Sequence, residues 1–149
     1  MKCIHNAIFE NTDYAKETLE LAEYEACTFR NCNFSEYNLA GFKFSECLFA
    51  GCNLSLVKLN GTLLMNIAFI DCKMLGLWFD TCDAFGLSFS FENCQLNHSS
   101  FFKIKIKKTD FRTAYNYSIN PEKNKLKKSR FASAGIHGLL DKYDLVIEK

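Results

Sequence analysis

The sequence predicts an all-β solenoid, and three observations lead there. Counted in fives, the chain places Phe29, Phe34, Leu39, Phe44, Phe49, Leu54, Leu59, Leu64, Phe69, Met74, Phe79, Ala84 and Phe89 in one phase, with Ala84 its weak member. A second stripe lies two residues before each of these centres: Cys27, Cys32, Tyr37, Phe42, Cys47, Cys52, Val57, Thr62, Ile67, Cys72, Leu77, Cys82 and Leu87. Between the stripes stand polar or small residues such as Asn33, Ser35, Asn38, Gly41, Gly51, Asn53 and Gly61, which suit tight turns. A helix returns to its face about every 3.6 residues and a strand about every 2, so a strict period of five belongs to neither. Short extended segments joined by turns, with both stripes facing one interior, satisfy it.

Two stretches in this register, Cys32-Asn33-Phe34-Ser35-Glu36 and Cys52-Asn53-Leu54-Ser55-Leu56, resemble the pentapeptide-repeat family, whose loose consensus is a small residue, Asp or Asn, Leu or Phe, a small polar residue and a variable one. The resemblance covers at least residues 27–111. It implies a right-handed quadrilateral β-helix with four pentapeptides per coil. Coils of such a solenoid stack at the strand spacing of about 4.8 Å, so residues twenty apart should touch. Cys32, Cys52 and Cys72 then form one column, Phe29, Phe49 and Phe69 another, and Tyr37, Val57 and Leu77 a third.

In chain order, residues 1–131 are expected to form the β-helix. Within 1–25, Ile4, Phe9, Tyr14, Leu19 and Tyr24 keep the phase, but Lys2 and Glu17 fall in the partner stripe. An imperfect first coil is the favoured reading and a short acidic helix the alternative; either would cap an open strand edge. After Ala84 the centres resume as Phe91, Leu96, Phe101, Ile106 and Phe111, a slip of two that calls for a corner loop or bulge around Phe85 to Ser90. Leu126 and Phe131 are the last centres. Residues 132–149 read as a cap and dimerisation segment, with a short helix from Ser133 to about Tyr143, N-capped by Ser133, and a strand at Leu145-Val146-Ile147. Gly135 and Gly138 weaken that helix, so tertiary or partner contacts must hold it. The layout is similar to the end of the quinolone-resistance subgroup, where a helix and strand build a twofold dimer. That resemblance implies a homodimer interface of Ile136, Leu139, Leu140, Tyr143, Leu145, Val146 and Ile147.

No apolar run approaches a membrane span and the start lacks a cleavage signal, so a soluble cytoplasmic protein without a membrane partner is expected. The net charge of +1 hides an asymmetry: residues 1–100 hold 6 Lys and Arg against 12 Asp and Glu, net −6, and residues 101–149 hold 12 against 5, net +7. Seven of the eight cysteines sit in the inward stripe and only Cys3 does not, which favours packing over disulfides or metal. No CxxC, P-loop or dinucleotide motif occurs, and His5, His98 and His137 are scattered, so neither cofactor, metal nor catalysis is expected.

Binding is the remaining class. The quinolone-resistance resemblance implies a protein partner, DNA gyrase or topoisomerase IV, engaged by duplex mimicry through an acidic surface. Glu17, Glu20, Glu23 and Glu25 are the candidates for it. The near-neutral total charge and the lack of long projecting loops depart from that pattern. Two alternatives stand beside it: a scaffold for an unrelated protein partner, and nucleic-acid binding by a basic face of Lys105, Lys107, Lys125 and Lys127.

Overall fold

The computed structural model describes residues 1–102, 104, 106 and 109–148. Its strands are short: β1 (Cys3–His5), β2 (Ile8–Glu10), β3 (Glu23–Glu25), β4 (Thr28–Arg30), β5 (Lys43–Ser45), β6 (Leu48–Ala50), β7 (Leu63–Met65), β8 (Ile67–Ile70) and β9 (Phe89–Glu92). They form two parallel sheets, β1-β3-β5-β7 and β2-β4-β6-β8-β9. Centres pair twenty residues apart, as in Ile4 with Tyr24 and Phe9 with Phe29. Single parallel bridges make two further sides. One runs through Asp13, Asn33, Asn53, Lys73, Gln95 and Tyr115, the other through Asn38 with Lys58 and Trp78 with Ser100. The result is a four-sided parallel β-helix.

The corners explain the period. The residue two places after a centre adopts positive φ, at Asn6, Asn11, Asn31, Asn66, Asp71 and Asn93 and at Gly41, Gly51, Gly61 and Gly76. Asn, Asp and Gly tolerate that conformation best. Gly51 is constrained twice, because at φ +65 a Cβ would also lie 2.3 Å from Asn31 Oδ1.

Inside, Phe9, Phe29, Phe49, Phe69, Phe91, Phe111 and Phe131 form one continuous ladder with successive ring centroids 4.8, 4.8, 5.4, 5.5, 5.4 and 5.1 Å apart. The coil pitch sets this spacing, and each stacked pair adds about 0.5–1.5 kcal/mol beyond burial. The enclosed space among Leu39, Phe44, Phe49, Leu54 and their neighbours amounts to ≈ 10 Å³.

The second stripe supplies donors as well as bulk. Cys47, Cys52 and Cys72 each direct the thiol to the carbonyl of a centre one coil earlier, Tyr24, Phe29 and Phe49, at 3.3 Å. Thr62 Oγ1 does the same to Leu39 at 2.7 Å and Ser99 Oγ to Met74 at 2.9 Å. Six inward cysteines are buried, Cys82 is half-buried and Cys3 is exposed; all eight are free thiols.

Residues 1–20 form a true first coil, with β1 and β2 paired onto β3 and β4. The excess of two residues lies between Asp83, whose N–H still bonds Thr62, and Ser88, whose carbonyl accepts from Ile67 in the shifted register. Ala84 is accordingly exposed, and Phe89 moves into the second stripe opposite Ile67. Cys94 follows Cys72 as expected, donating to Phe69 at 3.3 Å.

The tail differs from the expected helix and strand. Ser133–Leu139 and Asp141–Tyr143 are 3-10 turns, Ser133 lies within the first of them instead of capping it, and no strand follows β9 among the described residues. The cause is close packing: a Cβ on Gly138 would stand 2.4 Å from the Tyr117 carbonyl oxygen, and one on Gly135 2.6 Å from its hydroxyl. Gly138 also accepts a bond from Ile119 N–H at 2.9 Å. Among the described residues no helix is long and apolar enough to cross a membrane.

Candidate partner-binding surfaces

Outward positions flank each inward centre, so the four sides of the rod carry four columns of surface residues. The first sheet brings Glu23 and Glu25 to its outer face, with Glu20 and Glu17 on the chain leading into it. All four are wholly or partly exposed, yet two are paired with lysines and a third touches an imidazole. Lys2 Nζ lies 3.1 Å from Glu20, Lys43 Nζ 2.9 Å from Glu23 and His5 Nδ1 2.8 Å from Glu25. Lys43 holds the Glu23 carboxyl below its ordinary range. Glu10 is likewise paired, with Arg30 at 3.4 Å. Most of these partners are twenty residues apart, one coil above the other, a separation at which charge pairing is easily missed in sequence.

Beside this cluster, Cys3 and His5 stand on β1 with Cys3 opposite Glu23 and His5 opposite Glu25. Partial desolvation, then the charges of Glu23 and Glu25, raise the Cys3 thiol above its ordinary range.

The basic end is different. Lys125 and Lys127 flank the half-buried Leu126 and are exposed; Lys105 and Lys107 lie outside the described residues. Among the described residues, Lys123, Lys125, Lys127, Lys128 and Arg130 have no carboxylate within 4 Å. The exposed Arg112 instead pairs with Asp110 at 2.8 Å, keeping that carboxyl low.

The tail turns its glycines inward and much of its apolar surface outward. Leu139 packs on the core, while Ile136, Tyr143, Leu145, Val146 and Ile147 are 49–88% exposed. With the partly exposed Leu140, Ile136, Leu145 and Ile147 line an open groove of ≈ 900 Å³. Tyr143 Oη donates to Glu122 at 3.2 Å and Lys142 pairs with the same carboxylate, tying the tail to the last coil.

Sequence reasoning did not single out the middle of the rod. There the outer faces of β6 and β8 present Leu48, Ala50, Ala68 and Ile70, and β7 adds Leu63 and Met65, all half-buried and uncharged. Phe85 in the inserted loop is 72% exposed and Trp78, on another side, 64%. A large apolar residue one place before or after a centre was the available signal.

Residues 27–66 match the family described as pentapeptide repeats, in eight copies. A comparison with curated protein sequences finds no match. Among solved structures, a trypsin-treated variant of QnrB1, a plasmid-mediated fluoroquinolone resistance protein, is similar at 14% identity over 98% of this chain and 100% of that one, TM-score 0.42. Full-length QnrB1 is similar at 14% identity over 96% and 100%, TM-score 0.41. A pentapeptide-repeat protein, Rfr23 from the cyanobacterium Cyanothece 51142, is similar at 13% over 90% and 86%, TM-score 0.32. The eight matched copies fall where the ladders are most regular, so residues 27–66 are pentapeptide repeats, and the same twenty-residue stacking continues on both sides of them.

Proposed function

We propose that this chain is a non-catalytic scaffold that docks a protein partner along the side of its β-helix and pairs with a second copy through its tail. The observation that carries the docking surface is the uncharged outer face of β6 and β8 in mid-rod, continued around the corner by Leu63, Met65 and Phe85. Contiguous apolar surface of this kind marks protein contacts. A packed interior without room for a substrate supports the non-catalytic reading. Eight free thiols suit a reducing compartment, and we place the protein in the cytoplasm.

The candidate partner is DNA gyrase or topoisomerase IV, which the resemblance of the tail layout to the quinolone-resistance subgroup implies and a rod of duplex-like width suits. The lysine ion pairs at Glu20 and Glu23 argue that such binding would use the apolar mid-rod face more than an acidic one. Gyrase supercoiling with and without a quinolone tests this. Protection by the wild type that survives Gln at Glu17, Glu20, Glu23 and Glu25 but is lost in Ala68→Glu with Ile70→Glu is expected. Loss in the Gln variant alone would establish duplex mimicry instead, and no effect of the wild type would remove topoisomerases as the partner.

A second reading rests on the exposed cations of the last coil, which have no carboxylate within 4 Å among the described residues and fit phosphates. Duplex binding that weakens steeply with salt and falls when Lys125 and Lys127 become Gln would support it.

A further inference from the structure

Cys3 is the one cysteine that the repeat does not explain. The other seven occupy the inward stripe, where volume and a donor are needed, whereas Cys3 lies on the outside of β1. His5 follows two residues later, so the two side chains share the outer face of the strand. Glu25 stands opposite His5 on β3. A thiol sulfur, an imidazole nitrogen and a carboxylate oxygen from these residues all lie within 4.8 Å of one another.

We propose that Cys3, His5 and Glu25 bind one zinc ion on the outer face of the first two coils. In a tetrahedral site with Zn–S near 2.3 Å and Zn–N or Zn–O near 2.0–2.1 Å, the donor atoms stand roughly 3.3–3.6 Å apart. The strand spacing already sets the backbones, so side-chain rotation of about an ångström closes the set. His5 Nδ1 now lies 2.8 Å from Glu25 Oε2; the metal comes between the two atoms with the imidazole as its Nε2–H tautomer, and one proton leaves Cys3 for solvent as the thiolate binds. Thiolate, imidazole and carboxylate together favour a borderline cation such as Zn²⁺ over the hard Mg²⁺ or Ca²⁺, which prefer oxygen donors alone. Lys43 occupies Glu23 and leaves Glu25 to the site. Three protein donors leave a fourth position for water or a partner's side chain. The ion ties β1, the end strand of its sheet among the described residues, to β3.

Untagged, metal-depleted full chain titrated with Zn²⁺ and, separately, Co²⁺ tests the proposal. One ion per chain is expected, with a thiolate-to-cobalt charge-transfer band in the near ultraviolet. Zinc should slow alkylation of Cys3 and increase amide protection across β1. Cys3→Ser should remove the band, and His5→Ala and Glu25→Gln should each weaken zinc binding by more than the roughly tenfold that even an outer-shell partner is worth. All three residues are largely exposed, so unchanged circular dichroism verifies that the variants fold. Absence of the band in wild-type protein, or zinc binding that Cys3→Ser leaves unchanged, would overturn the assignment.

Discussion

A small side chain with a donor suits the second stripe, although Phe42, Val57, Ile67 and Leu77 also fill it, because atoms there face both the core and the carbonyl of the coil below. Cysteine, threonine and serine meet that demand, as Cys52, Thr62 and Ser99 show with their bonds to Phe29, Leu39 and Met74. The protonated thiol is the form that fits. Burial pushes Cys47 from an ordinary 9.0 to about 11, and Cys82 to about 12. The neighbouring Cys52 and Cys94 thiols, together with burial, raise Cys72 further. A pKa raised on folding adds stability that is fully present below the unfolded value and lost as pH rises through the folded one. Stability is therefore expected to hold up to about pH 9 and to fall between pH 9 and 12, measured as the urea midpoint. A midpoint that stays level across that window would show that these thiols ionise in place. The stripe was legible because volume and polarity recur at fixed intervals. The corner conformation was less so: Glu36, Glu46, Leu56 and His98 adopt positive φ at the same step as Asn and Gly, so residue type does not announce it.

The tail illustrates how an element can be foreseen in place and mistaken in form. Gly135 and Gly138 signalled a weak helix, and weak propensity is what the 3-10 turns reflect. Their positions were set by contact with Tyr117, about twenty residues earlier, which local periodicity cannot register. Because both glycines lie against that ring, a side chain at either must lift the tail away. Gly138→Val is expected to release residues 133–148 from the last coil while the ladder through Phe111 stays intact. Hydrogen exchange would then accelerate at Ile119, whose N–H bonds the Gly138 carbonyl at 2.9 Å, with little change in β4, β6 and β8. Protection at Ile119 equal to the wild type would mean that the turn tolerates the branched side chain and is not anchored as described. The inserted loop followed the same logic with a better outcome, since a slip of two in the phase is visible without knowing what lies beneath it.

At the scale of the molecule, the charge asymmetry read from the sequence survives, but its meaning changes once coils are stacked. The acidic half is laced by ion pairs between coils, whereas the described cations of residues 123–130 face solvent unpaired. Exposed pairs contribute little to stability, about 0–1 kcal/mol each, yet they cancel charge locally and so blunt an anionic surface. The dimer proposed through the tail must overcome repulsion between two basic ends. Surface charges farther apart than about 8 Å are largely screened at physiological salt, while burying a Leu side chain contributes roughly 1.5–3 kcal/mol. Ile136, Leu140, Leu145 and Ile147 supply several such side chains on one groove, with Tyr143 and Val146 exposed on the same tail, and a twofold contact covers the groove on both copies at once. Burial outweighs repulsion on these magnitudes. Sedimentation should accordingly give a dimer at micromolar concentration that tightens as salt is added, because salt weakens the opposing term and leaves the apolar one intact. Leu140→Asp should give a folded monomer, with Gly138 and Leu139 still seated on Tyr117 and the core. If the wild type sediments as a monomer at high concentration and high salt, the tail serves only to close the end of its own β-helix, and the groove beside Leu140 awaits a different occupant.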